Sequence, residues 1–219
     1  MPRASPKRTA RKRNYHHGDL HRALVSTALE LVEANDVSAL TLREVARRAG
    51  VTHGAPYHHF RNKAALLAAL AEEGYRALYT EQLQAVAKAG PDPIARLHAI
   101  GIAYVRFAVQ HPGHFRVMFG TDTADWSDYP SLLEAVQLPL VLLTSTAEEI
   151  KRSKRLSLKP SDFVLSSWAM VHGLATLWVD GPLRPILGST DASAIEELAA
   201  RIIPFWTVVL QPDAKQVAK

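Results

Sequence analysis

Apolar residues recur at three- and four-residue steps along almost the whole of this chain, and that period points to helices rather than strands. Leu20, Leu24, Thr27, Ala28, Leu31 and Val32 form one such stripe. A helix is therefore predicted from about Asp19, a good N-cap, to Asn35, a good C-terminal stop. A second, short helix follows Leu40. There Thr41 precedes LREVARRAG with Glu44 three residues on, the pattern of a capping box, and Gly50 ends the segment as a left-handed residue can. The stretch NKAALLAALAEEGYRALYTEQLQAVAKAG reads as one long amphipathic helix stopped by Gly90 and Pro91. Further helices are predicted at about 93–110, 112–119, 131–155, 161–180 and 191–211, separated by Pro, Gly, Ser and Asp breaks. The one long irregular insert is GTDTADWSDYP, 120–130. The fold class implied is all-α.

The segment VTHGAPYHHF, 51–60, interrupts this regularity with three histidines, a glycine and a proline. With Thr52 as N-cap, His53, Gly54 and Ala55 fill a first turn and Pro56 falls at its edge, where its ring meets no helical carbonyl. The segment then reads as a helix of about two turns, joined to the preceding short helix by Gly50, Val51 and Thr52. Two helices so joined form a helix-turn-helix. Val45, Ala46, Ala49, Val51 and Phe60 are expected to face inward, and His53, Gly54, Ala55, Tyr57 and His58 outward. Small residues at the front let backbone approach a surface, and neutral imidazoles donate or accept hydrogen bonds, which suits a major groove.

Charge is distributed to match. Residues 1–63 hold 12 Lys/Arg against 5 Asp/Glu, whereas residues 64–219 hold 14 against 16. Arg3, Lys7, Arg8, Arg11, Lys12 and Arg13 lie in the first thirteen residues, with no acidic residue among them. Such a segment cannot fold alone and is expected to be a disordered arm over 1–14 that can reach phosphates or a minor groove. The chain has no cysteine, so disulfides, thiolate metal sites and cysteine nucleophiles are excluded. No uninterrupted apolar run approaches the roughly 20 residues of a membrane span, and the basic start leads into no signal-peptide segment, so a cytoplasmic protein without membrane contact is expected.

Other chemistries fit less well. The His16–His17 and His58–His59 pairs could suggest metal, but adjacent helical residues point about 100° apart. His111 and His114 have ligand-like spacing, yet Pro112 starts a helix between them, and no metal site or cofactor is expected. No G-x-S-x-G elbow, P-loop or G-x-G-x-x-G places the serines, histidines and aspartates for catalysis. A helical enzyme and a DNA-architectural protein are thus the weaker alternatives.

The stretch ALTLREVARRAGVTHGAPYHHFRNKAALLAAL, 39–70, resembles the DNA-binding domain of the TetR family of transcriptional regulators, and YHHGDLHRALVSTALELVEANDVSAL before it resembles the family's first helix. The resemblance rests on the helix-turn-helix glycine, the aromatic near the end of the recognition helix and the F-x-N-K start of the next helix. It implies a sequence-specific regulator that acts as a repressor, binding double-stranded operator DNA as a homodimer and released by a small, largely apolar ligand. Base-edge contacts are implied for Arg43, His53, Gly54 and Ala55, with Thr52 opening the recognition helix beside them. Phosphate contacts are implied for Thr41, Tyr57, His58, His59 and Lys63. The front of the recognition helix departs from strong direct readout, because Gly54 and Ala55 offer only backbone approach and contact with a thymine methyl.

By the same resemblance, 15–62 is the DNA-binding domain, 63–211 a helical ligand-binding and dimerisation domain, and 212–219 a C-terminal tail. The segment SSWAMVHGLATLWVDGPL, 166–183, also resembles a subclass with a W-x-x-x-H-G signature. Trp168, Val171, Ala175 and Trp178 share one helical face, as a core or dimer-facing stripe would. Gly173 within a helix suggests close helix approach. Tyr104, Phe107, Phe115, Phe119 and Trp126, with Trp168 and His172, are the candidate lining of a ligand pocket; core packing accounts for most of them equally well.

Overall fold

The structure, a computed structural model, describes residues 17–35, 37–120, 126–154 and 159–207. The basic arm and the C-terminal tail lie outside the described residues, as do 121–125 of the long insert. What is described is helical throughout: α1 (His17–Ala34), α2 (Leu42–Arg48), α3 (Lys63–Ala89), α4 (Pro93–Gln110), α5 (Pro112–Phe119), α6 (Pro130–Lys154), α7 (Pro160–Val179), α8 (Leu183–Leu187) and α9 (Ala192–Thr207), with 3-10 turns at Val37–Ala39, Ala55–His58 and Trp126–Asp128.

Helices α2, α3 and α4 each have a side-chain N-cap. Thr41 Oγ1 accepts the Glu44 amide at 3.1 Å, Asn62 Oδ1 accepts the Ala65 amide at 2.9 Å, and the Asp92 carboxylate accepts the amides of Ile94 and Ala95 at 3.3 Å. The capping box at α2 is half made: the Glu44 carboxylate is engaged by Arg47, whose Nε donates to it at 2.8 Å. That pairing holds the Glu44 carboxyl below the usual range. Gly50 and Gly90 end their helices at φ 70° and 79°, a left-handed backbone that only glycine adopts without strain.

The expected two-turn helix after Thr52 is corrected by the structure. Residues 53–54 form a turn, and Ala55–His58 is a 3-10 helix held by i to i+3 bonds, Tyr57 N–H to Gly54 O and His59 N–H to Pro56 O. Pro56 brings no amide and Gly54 is a poor helix former, so too few bonds remain for an α-helix. Burial of Pro56 and Phe60 fixes the segment against the domain. The short α8 between Pro182 and Gly188 does not follow from the periodicity; five residues are too few to show a period.

Leu24, Val25, Ala28 and Val32 of α1 pack with Val45 of α2, Phe60 and the start of α3 at Leu66 and Leu67. The same apolar cluster runs on through Tyr104, Phe107, Phe115, Trp178 and Ile203, so no break in packing marks residue 62. At the centre of the larger part, α4 packs against α3, α5, α6, α7 and α9. Phe107, fully buried on α4, is a core residue, and truncating it to Ala should cost about 3–5 kcal/mol. By length and composition alone α6 could cross a membrane, although its apolar residues form no uninterrupted run; here it packs on α3, α4 and α7.

Helix α5 is wedged between the two parts. A Cβ on Gly113 would stand 2.7 Å from Glu33 Cγ and 2.9 Å from Leu29 Cδ1, so α5 touches α1 at glycine distance. On the other side, Gly74 of α3 admits Met118, whose Sδ would lie 2.6 Å from a Cβ placed there.

Candidate nucleic-acid interface and ligand cavity

Around the helix-turn-helix, Thr41, Arg43, Thr52, His53, Gly54, Tyr57 and His58 are exposed and Ala55 is half-buried. Tyr57 exposes 59% of its surface, a large value for an aromatic side chain. Val45, Ala46 and Phe60 are buried as expected, while Ala49 and Val51 are half-buried against the core. Two residues assigned to phosphate have other engagements. His59 is half-buried and packs edge-on to His21 at 5.9 Å. The Lys63 ammonium donates to Val37 O at 2.8 Å and to Ser38 O at 3.1 Å, tying the first turn of α3 to the 3-10 turn after α1. An ammonium with two of its three donors so spent is first a structural tie.

Immediately after the recognition segment, Arg61 reaches across to the approach to α6. Its guanidinium donates to Asp128 Oδ2 at 2.6 Å and to Tyr129 Oη at 3.3 Å, and lies over the Tyr129 ring at 5.2 Å. The Tyr129 and Asp128 partners push the Arg61 pKa up.

In the larger part, α3, α4, α6, α7 and α9 enclose a cavity of about 230 Å³ with an almost wholly apolar wall. Tyr75, Leu78 and Gln82 of α3, Leu97, Ile100, Gly101 and Tyr104 of α4, Phe119 of α5, Val136, Pro139, Leu140 and Leu143 of α6, and Ser167, Trp168, Met170 and Val171 of α7 line it, closed by Ile203 and Thr207 of α9. Leu140 and Trp168 on this wall are partly exposed. Of the residues expected here, Tyr104, Phe119 and Trp168 are on the wall.

Phe115 and His172 are next to it rather than in it. They line a second, more polar cleft, with Glu33, Arg116, Thr176 and Asp180, where α1, α5 and α7 meet. Phe107 lines neither space, which corrects its assignment: it is packed on His111, ring centres 5.0 Å apart, in the core. The side chain of Trp126 lies outside what is described.

Tyr104, Phe115, Phe119, Trp168 and His172 nevertheless form one aromatic cluster, with the Phe119 and His172 rings 4.7 Å apart. Burial holds the His172 imidazole below its ordinary pKa and raises that of the Tyr104 phenol. The phenol oxygen and His172 Nδ1 share a hydrogen bond at 2.8 Å whose direction the His172 tautomer sets, and the phenol accepts the Trp168 indole N–H at 3.4 Å. Val171, Ala175 and Trp178 are core. Gly173 has open space where a Cβ would stand, so nothing among the described residues explains this glycine by close approach.

Sequence reasoning missed Gln82 and Ser167. Each is a polar residue standing where its helix continues an apolar stripe: Ala71, Tyr75, Leu78, Gln82 on α3 and Val164, Ser167, Val171 on α7. A polar residue in such a register is the signal that would have found them.

A helix-turn-helix unit continuous with a larger helical bundle that holds an apolar cavity defines a class of one-component regulators. Comparison with known proteins agrees. Residues 24–70 match the family described as "Bacterial regulatory proteins, tetR family", and residues 97–201 match "Tetracyclin repressor-like, C-terminal domain". The chain belongs to the TetR family of transcriptional regulators, not to an enzyme family. The tetracycline repressor protein class C of Escherichia coli is 52% identical over 50 residues, 23% of either chain. The curated relatives it matches are each covered over less than half their own length.

Among solved structures, a protein of unknown function from Rhodococcus sp. RHA1 is 32% identical with a TM-score of 0.71, covering 89% of this chain and 98% of that one. The transcriptional regulator FadR of Bacillus subtilis, solved in complex with stearoyl-CoA, shares the fold at 16% identity and a TM-score of 0.67, covering 84% of this chain and 97% of its own.

Proposed function

We propose that this protein is a cytoplasmic, homodimeric repressor that binds an operator through its helix-turn-helix and leaves it when a small, largely apolar molecule enters the cavity. The observation that carries the reading is the shared use of α5. Phe119 at its end lines the cavity, and Gly113 at its start is packed against α1 of the DNA-binding unit. A ligand that displaces Phe119 moves a helix whose other end has no slack.

DNA contact is assigned to Thr41, Arg43, Thr52, His53, Gly54, Ala55, Tyr57 and His58, with Lys63 and His59 holding the unit in shape. The dimer face is assigned to the outer side of α7, where Leu165, Ala169, Gly173 and Leu177 follow one another at four-residue steps and Leu165 and Leu177 are exposed. That spacing forms a ridge able to pack on its own copy, with Gly173 at closest approach. The stearoyl-CoA held by the Bacillus subtilis FadR makes an acyl chain one candidate occupant, but among the described residues no charged side chain lines this cavity to meet a phosphate.

Selection of bound fragments from random DNA, followed by release with a panel of metabolites, tests the reading. The expected result is a two-half-site operator and at least one releasing compound. Equal binding to every fragment would instead indicate an architectural protein.

A further inference from the structure

Three spaces and clusters stand outside the reading above: the polar cleft between α1, α5 and α7, the buried His114 beside Glu73, and the polar atoms on the wall of the apolar cavity. The last carries the most, because it fixes ligand chemistry. Among the polar side chains on that wall, most are already satisfied. Tyr104 shares a hydrogen bond with His172 and accepts from Trp168, and the Tyr75 hydroxyl donates to Met118 O at 3.4 Å. Thr207 spends its proton on Pro204 O at 2.8 Å and accepts from His98 Nε2 at 2.7 Å.

Gln82 and Ser167 differ. Gln82 is 3% exposed; its Nε2 faces Ile100 O at 3.5 Å, and since that carbonyl can only accept, the other amide atom is the oxygen. Gln82 Oε1 has no hydrogen-bond partner among the described residues, and neither does Ser167 Oγ, on a residue 6% exposed. An acceptor left buried and unpaired is costly, so it is a feature a ligand can repay. Among the described residues no Lys, Arg, Asp or Glu lines the cavity, so a charged group there would be desolvated without a counter-charge. The volume, about 230 Å³, exceeds the roughly 150 Å³ that takes benzene, so a substituted ring or short branched chain fits.

We infer that the ligand is an uncharged molecule with an apolar body and one hydroxyl or N–H donor, the donor seated on Gln82 Oε1 once that side chain turns to bring its oxygen, now without accessible surface, onto the cavity wall. This rests on the cavity's being the ligand site. It separates the protein from regulators that read carboxylates or phosphates, and makes alcohols, phenols and small amides the class to screen.

The test is calorimetric titration of the full chain with three probes of one shape: 4-butylphenol, butylbenzene and 4-butylbenzoate, at pH 7.5. The phenol should bind about tenfold tighter than butylbenzene, the difference one buried hydrogen bond makes, and the benzoate weakest of the three. In Gln82→Leu the phenol's advantage should vanish while butylbenzene binds as well as before or better, a reversal that general damage to the fold cannot produce. Equal binding of phenol and butylbenzene to the unmodified protein overturns the donor seat but leaves the cavity as the ligand site. Tightest binding by the benzoate overturns the uncharged class. An undiminished phenol advantage in Gln82→Leu places the donor elsewhere and overturns the assignment. Binding of none of the three, to the protein with its cavity intact, overturns this inference and the ligand site together.

Discussion

Lys63 and Arg43 differ in what holds them, and their substitutions should separate accordingly. The Lys63 ammonium ties Val37 O and Ser38 O, so Lys63→Ala should lower stability by about 1.5–3 kcal/mol, the range for a hydrogen bond to a charged group, as well as weaken DNA binding. Exposed Arg43 should behave otherwise: Arg43→Ala should leave the melting temperature unchanged and lose about 1–3 kcal/mol mainly on the preferred operator. Thermal melts beside binding isotherms on operator and random duplex decide it, and uniform weakening by Arg43→Ala would reassign that residue to the backbone. His114 carries a pH prediction. Burial holds its pKa below the ordinary value, against Glu73 Oε1 at 3.6 Å, with His111 and Glu33 also near. Well above about pH 6.5 it is neutral in folded and unfolded chains alike; as pH falls through that value, the unfolded chain takes the proton first and stability is lost. Half-buried His98 and His172 are shifted the same way by partial desolvation. Melting temperature should therefore decline between about pH 7 and 5, and less steeply in His114→Gln.

The helices themselves were legible because their caps are local. Thr41, Gly50 and Gly90 mark ends by chemistry that acts within four residues, whereas Asp19, expected to cap α1, lies inside that helix, which already includes His17. What needed the structure was non-local. The recognition segment is set by burial of Pro56 and Phe60 against distant residues, and Phe107 was separated from the other aromatics only by which face of α4 meets the core. Arg61 gave no sign in the sequence of its partner, 67 residues away at Asp128. At this scale the exposed side of α7 makes a prediction. Leu177→Glu places a charge on the assigned dimer face at a residue already 47% exposed, so the protomer should stay folded. Sedimentation should then show a monomer, with operator affinity reduced at least about a hundredfold because each half-site is bound alone. A dimer that survives Leu177→Glu and Leu165→Glu together would move the interface elsewhere, the exposed Phe205 on α9 being the next place to look.

Across the whole molecule, three connections among the described residues join cavity to DNA-binding unit: the covalent run of α3 from Lys63, the wedge of α5 against α1, and the Arg61 tie to the approach to α6. The cavity wall draws on all three helices, so an occupant pushes on each. Two recognition elements of a dimer enter successive major grooves only when they stand about 34–36 Å apart or a multiple of it, so a small change in that separation suffices to release DNA without any ligand contact there. Because the tie from Arg61 leaves the chain one residue after Phe60, it acts on the recognition segment most directly. Arg61→Ala should therefore retain ligand affinity and fold, yet reduce the factor by which ligand weakens operator binding. Linkage demands that the same factor appear in reverse, with saturating operator weakening ligand binding equally. Titrating ligand with and without operator, in the unmodified protein and in Arg61→Ala, measures both. A ligand that binds the unmodified protein equally well in the presence and absence of operator is not an inducer, and a coupling factor untouched by Arg61→Ala would leave α3 and α5 to carry the signal.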